Sequence, residues 1–385
     1  MSPVLSGRRY RSVSGARRGK ALMVAALASL VVLAGCSAPS RTVSVDSPTA
    51  APRPASTLHA LSVSGARLVD QDGQPVVLRG VNRSGTQYVC THDPETFDGP
   101  VDQPAIDAMK AWGINTVRVS LNEQCWLGVN GLPVGRTGEA YRRDVADFVS
   151  RLRANELAVI VDLHWNAPGV QQAKEQQTMA DRDHAPGFWR SVASTFAADP
   201  GVLFDLYNEP YPDGEQDTEA AWRCVRDGGQ CPGVGFVAAG MQEMLDAVRS
   251  TGARNPVLVA GPQWAGTLGR WMEFRPVDPL NQLVASIHIY GPPPKVTVCA
   301  TPACWDATMG PLAEGVPVVI SEMGNTNCTS DVVAPLMEWA DRHGVGYLGW
   351  GWVRSNCADE PALISDYNGT PTAYGAALRD HLHAE

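Results

Sequence analysis

From residue 76 onward the chain keeps one rhythm: short β-branched and apolar runs alternate with amphipathic stretches. Eight runs read as strands: VVLRGVN (76–82), NTVRVSL (115–121), LAVIVDLHW (157–165), VLFDLYNE (202–209), PVLVAGPQW (256–264), LVASIHIY (283–290), VPVVISEMG (316–324) and GYLGWGWV (346–353). Helices are predicted between them. The stretch 139–153 places Val145, Phe148, Val149 and Leu152 on one face, and 331–343 does the same with Val332, Leu336 and Trp339. Strands that alternate with helices form a parallel sheet covered on both faces. Eight such repeats predict an α/β fold, a closed (β/α)8 TIM barrel. Ahead of it, LSVSGARLVDQDGQPVVLRG reads as a short hairpin turning at Asp72-Gly73. An open doubly wound sheet would want a Gly-rich phosphate turn after an early strand, and GVNRSG is not that fingerprint.

The barrel body is expected over residues 59–385, because what precedes it reads differently. Residues 1–20 carry basic side chains and no acid, and ALMVAALASLVVLAG follows. A basic head, an apolar middle and small residues before Cys36 predict a signal peptide over 1–35. Leu33-Ala34-Gly35-Cys36 resembles a bacterial lipobox, in which the cysteine becomes the lipidated first residue. A plain transmembrane anchor would want a longer run. Arg8-Arg9 leaves twin-arginine export open. Residues 36–58, rich in Ser, Pro, Thr and Ala, read as a lipidated Cys and flexible tether. The expected location is therefore the cell envelope, either anchored through that lipid alone or secreted.

Export bears on the cysteines. Eight remain besides Cys36: Cys90, Cys125, Cys224, Cys231, Cys299, Cys304, Cys328 and Cys357. An even number in an exported chain predicts disulfides. Neighbour-with-neighbour pairing is expected: Cys90–Cys125, Cys224–Cys231, Cys299–Cys304 and Cys328–Cys357. No CxxC spacing occurs, which weakens zinc and redox readings. The net charge of −9, with no basic stripe, argues against nucleic acid as a partner.

In a (β/α)8 barrel the site lies at the C-terminal ends of the strands. Those ends carry Arg118, His164-Trp165, Asn208-Glu209, Trp264, His288 and Tyr290, Glu322, and Trp350 and Trp352. Glu209 and Glu322 end strands four and seven. Two carboxyl groups facing each other across a barrel mouth suit cleavage of a glycosidic bond: one protonates the leaving oxygen, the other attacks or activates water. Asp162 shares a strand face with His164 and stays outside the catalytic set. Trp126 reads as packing, and Trp165 and Trp264 divide evenly between packing and a sugar platform. His184, His343, His381 and His383 read as surface residues.

FDLYNEP, HIYG and ISEMGN, with LRGVNRSG and VDLHW, resemble the motifs of glycoside hydrolase family 5, the cellulase family A group, in order across residues 59–385. The resemblance implies seven site positions at Arg118, His164, Asn208, Glu209, His288, Tyr290 and Glu322, and an aromatic on strand eight. Trp352 is expected there, but WGWV departs from the family's usual endings, so Trp350 stays open. The implied mechanism is retaining, with Glu209 as acid/base and Glu322 as nucleophile. Tyr290 and Arg118 would orient Glu322, Asn208 would bind the sugar 2-hydroxyl, and His288 would support Glu209 or sugar hydroxyls. Neither cofactor nor metal is implied.

The leading expectation is an endo-β-1,4-glucanase acting as a monomer on a β-glycan polysaccharide or oligosaccharide; a β-mannanase or other β-glycanase of the same family comes next. A non-catalytic, glycan-binding or solute-binding lipoprotein would share the leader but would not need paired strand-end Glu residues. A metal-dependent barrel hydrolase would want a His-x-His or carboxylate cluster, and HIY supplies one His only.

Overall fold

The computed structural model describes residues 60–132, 137–291 and 299–384. The expected leader, Cys36 and tether lie outside them. Eight strands close a parallel barrel: β1 (Arg79–Arg83), β2 (Thr116–Asn122), β3 (Ala158–Trp165), β4 (Val202–Asp205), β5 (Val257–Ala260), β6 (Leu283–Gly291), β7 (Val318–Asn325) and β8 (Gly346–Gly349). Chain neighbours are barrel neighbours, and β8 closes on β1 through Tyr347–Arg79 and Leu348–Gly80. This is the predicted α/β barrel.

Several strands stop short of their apolar runs. β4 ends at Asp205, although Leu206 N–H still donates to Leu258 O and Asn208 N–H to Leu163 O. β5 ends at Ala260 and β8 at Gly349. Past β8 too, single bonds to the neighbouring strands continue, from Trp350 N–H to Met323 O and from Trp352 N–H to Asn82 O. The hairpin has one strand more than expected. Ser62–Ser64, Arg67–Val69 and Pro75–Val76 form an antiparallel sheet, with the extra turn at Gly65 (φ 58°).

Alternation along each strand separates two cores. Along β3, Val159, Val161 and Leu163 face outward into the layer of helices, while Ala158 and Ile160 face inward. Leu61 and Leu68 of the hairpin join those inward residues and Leu203, Leu258, Val284, Val319 and Leu348, so the small sheet plugs the barrel's lower end. The helices Glu139–Ala154 and Val333–His343 bury the predicted faces. Above the apolar plug the inward positions turn polar: Asp162 and His164 on β3, Ser286 and His288 on β6. A polar layer on an apolar floor sets the site at the mouth.

The four expected disulfides form, Cys90–Cys125, Cys224–Cys231, Cys299–Cys304 and Cys328–Cys357. The first ties the segment after β1 to the one after β2, and the last ties those after β7 and β8. Each restricts the unfolded chain, which is worth about 2–4 kcal/mol.

Candidate active site

The carboxyl group of Glu322 faces inward because β7 breaks its own alternation. Val319 and Ser321 point inward, so the next residue should point out. Pairing with β6 instead steps from Ile287↔Ile320 to His288↔Glu322, leaving Ser321 as an extra residue. This bulge turns Glu322 into the barrel. Ser321 Oγ meets Ser286 Oγ at 2.6 Å, and its carbonyl accepts from Asn82 Nδ2 at 2.9 Å, so the distorted backbone is held from both sides.

Both Glu322 oxygens are engaged. Arg118 Nη1 donates to Oε1 at 2.7 Å and Tyr290 Oη to Oε2 at 2.6 Å. Tyr290 can lie there only because residue 324 is glycine: a Cβ on Gly324 would come within 2.6 Å of Tyr290 Cε1. Glu209 is one-fifth exposed, and its Oε1 lies 2.9 Å from His288 Nδ1. Burial pushes His288 down to about 4, so the ring is neutral where its Nδ1 meets Glu209. A carboxylate oxygen from each Glu and a His288 ring nitrogen lie within 4.8 Å of one another.

Arg118 is fully buried and organises the layer. It reaches Asp205 at 3.0 Å, Asp162 at 3.2 Å, Asn82 Oδ1 at 3.0 Å and Asn208 Oδ1 at 2.9 Å, besides Glu322. One guanidinium thus faces three carboxyl groups. Burial, reinforced by the charges of Asp162 and Glu322 against the pull of Arg118, pushes Asp205 up to about 7. Asp162 and Asp205 are register partners across β3 and β4, and among the described residues the Oδ1 of each has no hydrogen-bond partner. A proton on Asp205 relieves that crowding of charge. Asp162 Oδ2 also lies 2.7 Å from His164 Nδ1, so this residue orients both Arg118 and His164.

Of the two tryptophans after β8, Trp350 rather than Trp352 stands at the mouth beside His164. Trp352 is 1% exposed and packs edge-on against Trp112 at 4.8 Å, so it has no face to offer a sugar. Trp350 is half-buried and stacks on His164 at 5.4 Å with planes 14° apart. Trp264 is half-buried, stacks on Tyr211 at 3.6 Å, and its N–H donates to Pro210 O beside Glu209. Gln263, Trp264 and Ala265 all sit at φ near 60° (59°, 60° and 57°), a left-handed run costly for residues with a Cβ. His288 N–H donates to Ala265 O, so this strained turn is tied to β6 beside the carboxylates. Trp165 is half-buried, 6.3 Å from the Tyr88 ring. Trp126 is buried among Tyr141, Phe188 and Phe196, as expected of packing.

Residues 69–356 match the sequence family described as Cellulase (glycosyl hydrolase family 5). The chain belongs to glycosyl hydrolase family 5. This family 5 chain is 26% identical over 301 residues to a mannan endo-1,4-beta-mannosidase of Streptomyces lividans, covering 76% of this chain and 66% of that protein. It is 26% identical over 257 residues to endoglucanase C of Evansella cellulosilytica, covering 62% of this chain but only 27% of that protein. Among solved structures, beta-glucanase SdGluc5_26A from Saccharophagus degradans in complex with cellotetraose superposes with a TM-score of 0.63 at 19% identity, over 88% of this chain and 98% of that one. The catalytic domain of a mannanase from Streptomyces sp. SirexAA-E gives 0.60 at 22%, over 87% and 93%. At these identities the structural likeness is one of fold.

Three residues at the mouth, Asn82, Asp205 and Gln176, and the Glu123–Asp181 pair away from it had no sequence signal of their own. Asn82 lies within LRGVNRSG and Asp205 within FDLYNEP, motifs whose resemblance points to other positions. Gln176 comes from the polar loop after β3, where its Oε1 accepts from Asn208 Nδ2 at 3.1 Å. Outside the mouth, Glu123, Asp181 and His184 bring donor atoms within 4.8 Å of one another, a spacing that would also admit a cation. Burial, with the Asp181 charge beside it, pushes Glu123 well above the usual carboxyl range. Burial opposes ionisation of Asp181 too, but hydrogen bonds from His184, Glu123 and Asn166 outweigh it and hold Asp181 low. A proton on Glu123 shared with Asp181 therefore balances the pair. His184 is not the surface residue expected, since only 19% of its side chain is exposed and Nδ1 lies 2.9 Å from Ala167 O. His343 and His381 are also half-buried, on Trp339 and against Asp341, while His383 is exposed.

Proposed function

We propose that this chain is a retaining β-glycanase that cleaves β-1,4 bonds within a β-glucan. The observation that carries it is the short spacing of two carboxyl groups at the mouth, an oxygen of Glu209 and one of Glu322 within 4.8 Å. Retention wants carboxyl groups about 5–5.5 Å apart, whereas inversion wants about 6.5–9.5 Å to seat a water between them. Glu322, oriented by Arg118 and Tyr290, attacks the anomeric carbon as the glycosidic C–O bond breaks. Glu209 gives its proton to the departing oxygen. In the second step Glu209 takes a proton from water, the water oxygen bonds the anomeric carbon, and Glu322 leaves. Neutral His288 donates to Glu209 in its charged form. Asn208 meets the 2-hydroxyl, and Trp350 and Trp264 offer ring faces to the sugars.

Mannan is the second reading, favoured by the mannan endo-1,4-beta-mannosidases among the relatives. We include export in the proposal: the basic and apolar segments before Cys36, and the four disulfides, suit an oxidising compartment and a lipid-anchored monomer. Globomycin-sensitive processing and radiolabelled palmitate at Cys36 would test the anchor.

The activity test is reducing-sugar release from carboxymethylcellulose, mixed-linkage glucan, xyloglucan, glucomannan, mannan and xylan, with Glu322→Ala beside the parent. NMR of the first-formed anomer reads the stereochemistry. Activity lost in the variant, with the β-anomer appearing first, is expected. An α-anomer first, or activity surviving the substitution, would overturn the mechanism.

A further inference from the structure

Asn208 is held at both ends of its amide. Its Oδ1 accepts from Arg118 Nη2 at 2.9 Å, and its Nδ2 donates to Gln176 Oε1 at 3.1 Å. The first contact fixes which end is oxygen; the second uses one of the two Nδ2 hydrogens. Without the second, the amide keeps its oxygen anchored but swings about χ2, a soft, broad torsion.

Gln176 is itself pinned. Its Nε2 donates to Gln177 O at 3.1 Å and to Glu209 O at 3.3 Å. Tyr211 Oη donates to its main-chain carbonyl at 3.2 Å. The neighbouring Gln177 carbonyl accepts from Tyr207 Oη at 2.7 Å. With the Asn208 contact, the loop after β3 is thus tied by four bonds to the segment that carries Asn208 and Glu209. Gln176 is half-buried, so it stands at the edge of the mouth rather than in the packed wall.

We propose that Gln176 is a positioning residue: it locks the Asn208 amide so that the remaining Nδ2 hydrogen points at the 2-hydroxyl of the sugar being cleaved. This rests on the glycosidase reading above. The contact to the 2-hydroxyl strengthens as the ring flattens toward the oxocarbenium-like transition state. Fixing its donor beforehand therefore acts on kcat more than on KM.

Removing the 2-hydroxyl separates this role from general support of the loop. An aryl β-cellobioside and an aryl β-mannobioside are compared with analogues carrying a 2-deoxy sugar next to the aryl group. On the parent substrates, Gln176→Ala should lower kcat by about tenfold, with KM little changed. On the 2-deoxy substrates the same variant should match the wild type. Gln176→Glu keeps an acceptor for Asn208 Nδ2 and should recover part of the loss on the parent substrates. An equal loss on parent and 2-deoxy substrates, or none on either, would overturn the assignment. A wild type inert on every β-glycoside would instead remove the glycosidase reading on which it stands. A wild type equally fast with and without the 2-hydroxyl would sink the Asn208 contact while leaving the two carboxyl groups in place. Thermal unfolding of each variant reports whether the loop remains folded.

Discussion

Replacing Asp205 with Asn should change how stability depends on pH. Asp205 lies beneath the mouth, beside Asp162 and Arg118, and burial carries it from 3.8 up to about 7. Between those values the folded chain holds a proton that the unfolded chain has released. The folded state then binds more protons, so stability is lost as pH rises through this window and levels off above pH 7. Each unit is worth about 1.36 kcal/mol. From pH 4.5 to 7.5, with the unfolded group already largely ionised at the start, the loss is about 3 kcal/mol. Asparagine keeps an oxygen for Arg118 and has an N–H₂ where the carboxyl held its proton, but it does not titrate. The variant should therefore gain on the parent as pH rises. At this chain length about 3 kcal/mol corresponds to about 6 °C in Tm. Scanning calorimetry of both proteins at pH 4.5, 6.0 and 7.5 reads the gap directly. Melting curves that stay parallel across that range would refute the placement of the proton on Asp205.

Other substitutions test separate parts of the site. Trp350→Ala should raise KM with little change in Tm, whereas Trp352→Ala should cost about 3–5 kcal/mol of stability by emptying a buried site; calorimetry and steady-state kinetics together separate the two. Gly324→Ala should lower kcat by about tenfold or more, because its Cβ would meet Tyr290 at 2.6 Å and draw the phenol off Glu322. Glu123→Gln should raise Tm at pH 8 relative to the parent and not at pH 4. The raised Glu123 carboxyl makes the parent lose stability as pH climbs above the ordinary carboxyl range, and the amide removes that titration while still donating to Asp181.

The barrel was legible because its evidence is repetitive: eight β-branched runs and the helices between them repeat one unit, so no single boundary matters. The short ends of β4, β5 and β8 were not. Apolar residues such as Leu206 and Tyr207 stay buried after the regular strand has stopped, so composition carries on past its end. The choice between Trp350 and Trp352 stayed open in the sequence for a related reason. Two residues apart they share a face only while the strand lasts. β8 ends at Gly349, and afterwards one ring meets His164 while the other packs against Trp112. Gln176 lies in a run of glutamines with no periodicity, where nothing separates one amide from the next.

What the sequence determined by itself is the unit of the fold and which strands carry acids to the mouth. These follow from local periodicity, whereas the cysteine pairing was an expectation that two of the bonds, closing 35 and 29 residues, needed the folded barrel to decide. Tertiary structure alone decided where those acids point. Strict alternation would send Glu322 outward with Ile320; the bulge at Ser321 brings it in. That bulge exists because Asn82 and Ser286, far away in the chain, satisfy the groups it displaces. Likewise Arg118 gathers Asp162 from β3, Asp205 and Asn208 from the β4 run and Glu322 from β7, and the protonation of Asp205 follows from their crowding. Such a balance of charge has no meaning until the barrel has closed.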